Sequence, residues 1–302
     1  MVEAGLKHTP YDGSSTPFTI GMRPIAQRDW ICPDDDLVRF LDEKERLLAE
    51  RYPDVFQARA DTLDSQQEIA DALIAHVCEH AAPFYAREPQ GVRLKQSGRI
   101  VVPEPAAPLL QVGRLVQDDL VIMRKCADGW RLAAAHLSFP SSWPLREKFD
   151  RPMSAIHADV PDFAGQMEQR IARIFDNMQA LQPVERFNWS LYDDPQLHHP
   201  DPRRGPKAWA EPGGSFSRNG FLRVERQTLM KMPRSGDILF TIRVYHDPVR
   251  LFADHVDGAR LAGRLRQQLL GMSEAQLDYK GLLRDRDMIA DALAEIAAAA
   301  VS

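Results

Sequence analysis

The sequence predicts an α+β fold, and three observations carry that expectation. Residues 120–124 and 130–137 are apolar, β-compatible runs joined by Cys126-Ala127-Asp128-Gly129, whose Asp-Gly suits a tight hairpin. Residues 221–232 and 238–246 repeat the pattern across Pro233-Arg234-Ser235-Gly236-Asp237. Segments of helical spacing stand before, between and after these hairpins, and adjacent hairpins favour antiparallel pairing in one mixed core.

Residues 1–30 are punctuated by Pro, Gly, Ser and Thr and read as an extended arm, with 31–302 as a single domain behind it. Asp34, Asp35 and Asp36 suit the positive end of a helix, and Leu37, Phe40, Leu41, Lys44, Leu47 and Leu48 continue it until Pro53 closes it. A second helix starts near Ser65, carries Ile69, Leu73 and Val77, and ends before Pro83. Residues 103–108 form a proline-rich connection to the first hairpin. The segment 139–161 contains Pro140, Pro144, Pro152 and Pro161, which suit a helix poorly, and it holds the lone imidazole of His157. A helix is expected over 163–181, with Phe163, Met167, Ile171, Ile174, Phe175 and Met178 on one face, and then a strand over 187–192. Residues 193–220 form a long excursion, and loops of that length are often functional. Terminal helices follow the second hairpin, Ser273-Glu274-Ala275-Gln276 being a capping box that opens the last of them.

The charge balance, 38 Lys and Arg against 43 Asp and Glu, gives no whole-chain attraction to nucleic acid or to an acidic membrane. A small molecule or a protein is the expected partner. Cys32, Cys78 and Cys126 are widely spaced, with no C-x-x-C, which argues against a disulfide framework, a cysteine-rich zinc module, an iron-sulfur loop or covalently attached haem. No basic-then-apolar signal pattern occupies residues 1–30 and no apolar run is long enough to span a bilayer, so the expected compartment is the cytoplasm.

Several segments carry candidate chemistry. His76-Val77-Cys78-Glu79-His80 matches H-x-x-E-H, which can hold zinc on a helix, but no third ligand is identifiable and a solvated helix end is the alternative. Strand alternation over residues 222–229 puts Arg223, Glu225 and Gln227 on one face and Val224 with Arg226 on the other. Buried guanidinium groups need anionic partners, supplied by Glu225 and other carboxylates or by a ligand carboxylate. Arg186-Phe187-Asn188-Trp189 combines a cation, an amide and an indole on a strand, and His198-His199 stands in the long excursion. There is no G-x-G-x-x-G, P-loop or G-x-S-x-G.

Taken in order, Gly21-Met22-Arg23-Pro24, Asp29-Trp30, Gln117-Asp118-Asp119-Leu120, Phe139-Pro140-Ser141-Ser142-Trp143, Lys148-Phe149, Arg151-Pro152, Ile156-His157, Val160-Pro161, Arg186-Phe187-Asn188-Trp189 and the 222–229 strand resemble the haem-dependent oxidative N-demethylase family over about residues 18–285. That resemblance implies a PAS-like antiparallel sheet flanked by helices, with N- and C-terminal helical extensions, holding non-covalent haem b. It implies dioxygen-dependent, monooxygenase-type oxidation of a small methylated amine such as dimethylamine to the demethylated amine and formaldehyde. Electrons would come from NADPH through separate flavin and iron-sulfur partners, since this chain has no recognisable module of those kinds. His157 matches the histidine expected to ligate iron, with Asp159 a candidate to hold its other nitrogen, although family members often have proline there. Arg223 or Arg226 would pair with a haem propionate, and Phe139, Trp143 and Trp189 would wall the pocket. A non-catalytic haem sensor or storage protein with the same fold is the competing reading.

Overall fold

The computed structural model describes residues 6–161, 163, 165–201 and 205–299. The chain runs through short strand β1 (Arg23–Pro24), a helical turn at Gln27–Asp29, α1 (Leu37–Val55), β2 (Phe56–Ala58) and α2 (Leu63–His80). Strands β3 (Tyr85–Glu88), β4 (Gly91–Leu94) and β5 (Ile100–Val101) precede α3 (Pro108–Gly113) and the hairpin β6 (Asp119–Cys126) and β7 (Gly129–His136). Then come α4 (Leu145–Lys148), α5 (Met153–Ile156), α6 (Gln166–Asn177), β8 (Val184–Tyr192), α7 (Phe216–Asn219), β9 (Phe221–Lys231) and β10 (Ile238–Pro248). The C-terminal helices are α8 (Gly258–Gly271), α9 (Glu274–Tyr279) and α10 (Arg286–Ala299).

Among the described residues one antiparallel sheet has the order β1-β8-β9-β10-β6-β7-β2, so the last long strand lies beside the first. Its spine is the β9–β10 hairpin, paired from Lys231↔Ile238 to Phe221↔Pro248. At the other side of β8, β1 covers only Val184 and Glu185. Alternation gives the sheet two faces. On the near face Val121, Leu132, Leu229 and Ile242 meet Met153, Phe163, Ile171 and Phe175 from the 139–165 segment and α6. On the far face Leu120, Ile122 and Leu239 pack with residues of α1 and α2, while Trp189, Leu222 and Val224 pack with α8 and α10. Each fully buried Leu or Ile in these layers contributes about 2 kcal/mol from its apolar area. The α+β, helix-flanked antiparallel sheet expected from the two hairpins is therefore present.

Local details correct the sequence reading. Pro53 does not close α1: Arg51 leaves helical geometry at φ −142° and Pro53 starts the next turn, where its missing N–H costs nothing. Pro144 and Pro152 likewise precede the single turns α4 and α5, so a proline-rich stretch still holds helical turns. The 163–181 helix shortens to α6, because Gly165 enters it at φ +87° and Met178 leaves it extended. The Ser273 capping box is real but opens six-residue α9, with α10 beyond it. A separate small sheet, β3-β4-β5, was not anticipated. Gly91 permits it, since a Cβ there would lie 2.1 Å from the Val101 carbonyl oxygen. No helix among the described residues is long and apolar enough to cross a membrane.

Candidate functional site

Strand alternation puts Arg186, Asn188 and Ser190 of β8, Arg223, Glu225 and Gln227 of β9, and Phe240 and Ile242 of β10 on the near face. β9 and β10 each have a strand on both sides, yet Gln227 and Phe240, with Arg186, Asn188 and Ser190 beside them, are only half-buried. Half-buried Ile20, Met22, Trp143, Phe149, Ile156 and Val160 pack against the same layer. A central sheet face ringed by partly open apolar side chains is the usual make-up of a small-molecule site.

His157 belongs to this neighbourhood. It follows α5, and its Nδ1 lies 2.9 Å from the Met153 carbonyl oxygen. A carbonyl only accepts, so Nδ1 carries the proton and a neutral ring presents the Nε2 lone pair. Among the described residues Nε2 makes no hydrogen bond. Burial lowers the pKa below the ordinary histidine value, Lys148 and Arg186 push the same way, and only the Met153 carbonyl opposes them, so the ring is neutral at pH 7. Its plane stacks on Phe163 at 4.2 Å and 11°. Asp159 does not hold the ring: its exposed carboxylate lies 3.5 Å from Lys148 Nζ, and the Met153 carbonyl has the orienting role expected of it.

Two half-buried cations border the same face. Arg186 donates from Nη2 to the Thr19 carbonyl at 3.1 Å, while its buried Nε has no partner. Lys280, at the end of α9, donates to the Trp189 carbonyl at 2.5 Å and to Asn188 Oδ1 at 3.3 Å, with Phe18 and Trp189 rings 5.1 Å from Nζ. Burial pushes its pKa down to about 8, against the pull of Glu225. Glu225 is 6% exposed. Its carboxylate accepts from neutral donors: the Ser141 hydroxyl, Gln227 Nε2 at 2.8 Å and Asn188 Nδ2 at 3.3 Å. Among the described residues it has no ion-pair partner within 4 Å.

The six residues expected from sequence to hold the cofactor separate. His157 and Trp143 share the half-buried near face. Phe139 is wholly buried elsewhere, edge-on to Phe40 at 5.2 Å, with its N–H on Asp119. Arg223 points to the near-face side but is fully buried, bonding Ser141 Oγ and the carbonyls of Phe139, Pro140 and Leu197 at 2.8–3.2 Å. It braces the 139–141 turn. Trp189 lies on the far face, its Nε1 donating to Gln268 Oε1 at 2.8 Å. Arg226 is also on the far face, bonded to Glu185 Oε2 at 2.8 Å and to the carbonyls of Trp30 and Asp29. Residue type identified these as apolar walls and cations, but strand parity sends Trp189 and Arg226 away from His157.

Arg186 and Glu225, which the sequence singles out without assigning them to the pocket, and Lys280, which it does not single out, are the further residues of this face. Register with Asn188 and Gln227 was enough to find the first two; Lys280 arrives from a helix about ninety residues away and left no local signal. The H-x-x-E-H segment divides: Glu79 and His80 are exposed, as at a solvated helix end, while His76 turns inward. His76 is buried and its Nε2 accepts from the Ile31 N–H at 3.2 Å, Glu79 is exposed, and no group of three candidate metal ligands occurs among the described residues. Of the excursion, His198 and His199 are fixed by the Ser138 carbonyl and Asp194, whereas Arg203 lies outside the described residues.

A neutral imidazole with an uncommitted nitrogen, apolar walls, an orphaned buried Arg186 N–H and a nearby ammonium fit a porphyrin carrying iron and two propionates. A family model described as "Haem-dependent oxidative N-demethylase, alpha subunit-like" matches residues 21–290, most of the chain.

Proposed function

Since the chain belongs to the haem-dependent oxidative N-demethylase, alpha subunit-like family, we propose that it demethylates a small methylated amine such as dimethylamine with dioxygen, a monooxygenase-type reaction releasing formaldehyde. The single observation that supports this site for that chemistry is neutral His157, its Nδ1 proton committed to the Met153 carbonyl and its Nε2 lone pair uncommitted on the half-buried face. His157 would ligate the iron of haem b, Trp143 and its apolar neighbours would line the macrocycle, and Arg186 and Lys280 would meet the propionates. Haem, when bound, supplies the oxidising power for the N-methyl group.

The protein's own part is selection and proton handling. Glu225 would hold the ammonium form of the amine and take its proton at Oε1, which accepts only from Ser141, leaving a neutral nitrogen, while Asn188 and Gln227 donate to Oε2 and keep the carboxylate aimed. The alpha-subunit description implies other subunits or partners. In our reading these are flavin and iron-sulfur proteins that pass on electrons from NADPH. We read residues 31–302 as one PAS-like domain behind the 1–30 arm, supported by the seven-stranded antiparallel sheet in which β10 closes against β6. The free thiols Cys32, Cys78 and Cys126 support a reducing, cytoplasmic setting.

Purified chain should show a Soret band and, with a matching reductase, amine-dependent NADPH oxidation, dioxygen uptake and formaldehyde. Haem binding without turnover, when electron delivery is demonstrated independently, would favour a sensor or storage role instead.

A further inference from the structure

One large aromatic ring at the margin of the His157 face is left open. Tyr279 ends α9, immediately before Lys280, and is 47% exposed. Contacts from two other parts of the chain hold it there. Phe18 of the N-terminal arm meets the ring edge-on, with centroids 5.8 Å apart at 69°. Phe18 has a left-handed backbone, φ +59°, a costly conformation for a bulky residue, and the Thr19 carbonyl beside it accepts from Arg186 Nη2. Lys280 is tied to β8 through the Trp189 carbonyl and Asn188 Oδ1. Both rings are therefore anchored to β8, on the side where the near face carries its acid.

That acid acts on the Tyr279 hydroxyl. Desolvation is the first cause that pushes the phenol up to about 12, followed by the carboxylates of Glu225 and Asp159 and by Tyr192. Glu225 belongs to β9 and Asp159 lies two residues past His157, so the hydroxyl end of the ring is within electrostatic reach of both the acid and the turn that carries the imidazole. The Lys280 charge is kept apart from Glu225 by Asn188, which takes the ammonium on Oδ1 at 3.3 Å and donates from Nδ2 to Glu225 Oε2 at 3.3 Å. Glu225 Oε1 accepts only from Ser141, which leaves it room for a further donor.

A methylated ammonium ion presents two kinds of surface. Its N–H groups suit a carboxylate oxygen, and its N-methyl groups, which share the positive charge, suit an aromatic face. We infer that Tyr279 is a specificity-determining residue of the amine site, its ring packing on the N-methyl groups of a cation whose N–H is held by Glu225. The inference rests on the demethylase reading, since it takes Glu225 as the acid that receives the amine. It narrows the substrate class to secondary and tertiary methylammonium ions, which use the carboxylate and the ring together.

Calorimetric titration of the full chain with dimethylammonium chloride, against ammonium chloride, tests this without turnover. The parent should bind dimethylammonium at least about tenfold more tightly than ammonium. Tyr279→Phe, which keeps the ring, should stay within about threefold of the parent. Tyr279→Leu should lose about tenfold for dimethylammonium, the usual size of a ring-face contribution, and change ammonium binding little. The inference is overturned by no preference for dimethylammonium in the parent, by parental affinity in Tyr279→Leu, by an equal loss for ammonium, or by an equal loss in Tyr279→Phe. The demethylase reading fails separately. Tyr279-dependent amine binding by a chain that makes no formaldehyde, with electron delivery shown, would keep the amine site and remove demethylation; normal formaldehyde production with parental affinity in Tyr279→Leu would do the reverse.

Discussion

Arg223 and Arg226 lie three residues apart on one strand, and the sheet sends them to opposite sides. On the near face Arg223 is spent on three backbone carbonyls and a serine, and its neighbour Glu225 is left with neutral donors only. On the far face Arg226 shares Glu185 with Arg23 and ties down the arm at Asp29 and Trp30. On the near face the acid is thus held by neutral donors, with Arg186 and Lys280 acting on it only at longer range, whereas on the far face two guanidinium groups bond one carboxylate directly. One β-strand motif can therefore prepare two different surfaces, its arginines bracing neighbouring backbone while the acid between them is held by neutral donors.

The largest effect expected from breaking this contrast is at His157. His157→Ala should change the Soret and visible bands and abolish amine-dependent formaldehyde, with added imidazole restoring part of the spectrum; His76→Ala and His80→Ala should leave the bands in place. An unchanged spectrum and normal turnover in His157→Ala would move the axial role to another imidazole.

Next is Glu225→Gln, which keeps shape and removes the charge. A loss of about 10- to 100-fold in kcat/KM for the amine is expected, with haem content unaltered, that being the range for a hydrogen bond to a charged group. Parental kcat/KM would remove Glu225 from amine recognition.

The division between Arg223 and Arg186 is read in stability and haem retention instead. Arg223→Ala leaves three buried carbonyls without donors and should cost about 3 kcal/mol or more in denaturant unfolding of the apoprotein. Arg186→Ala should cost about 1 kcal/mol in the same measurement but speed haem transfer to an acceptor globin about tenfold. The reverse pattern would give Arg223 the propionate and Arg186 the bracing.

The smallest effect is the pH dependence of Lys280. Its pKa is about 8 in the folded chain against an ordinary 10.5, so between those values the unfolded chain binds more protons and stability rises with pH; below about 8 both forms are protonated and the penalty is constant. Lys280 is half-buried overall, which makes the effect smaller than full burial would give. Lys280→Met should flatten the parent's rise in urea midpoint between pH 8 and 10, and an identical slope in both proteins would refute the coupling.

Much of this architecture could be read along the chain because period-2 alternation and Asp-Gly turns are local signals. β6, β7, β9 and β10 appear within a few residues of expectation, and the parity of 222–229 correctly divides Glu225 from Arg226. Which side of that parity faces His157 is decided by contacts far apart in sequence, and so the chain alone does not show that Trp189 and Arg226 lie on the face away from it. His76 shows the same limit, since the Ile31 backbone determines that this imidazole turns inward. Lys280 reaches the site only because α9 ends beside β8, a matter of packing that no short window contains.

That position of Lys280 bears on how copies of the chain behave toward one another. β8 loses its outer neighbour after Glu185, and an unpaired strand margin is a template for pairing with another molecule. The Lys280 ammonium occupies the Trp189 carbonyl on that margin and places a charge where an incoming strand would lie. Concentrated Lys280→Met protein is accordingly the variant in which edge-to-edge self-association should first appear.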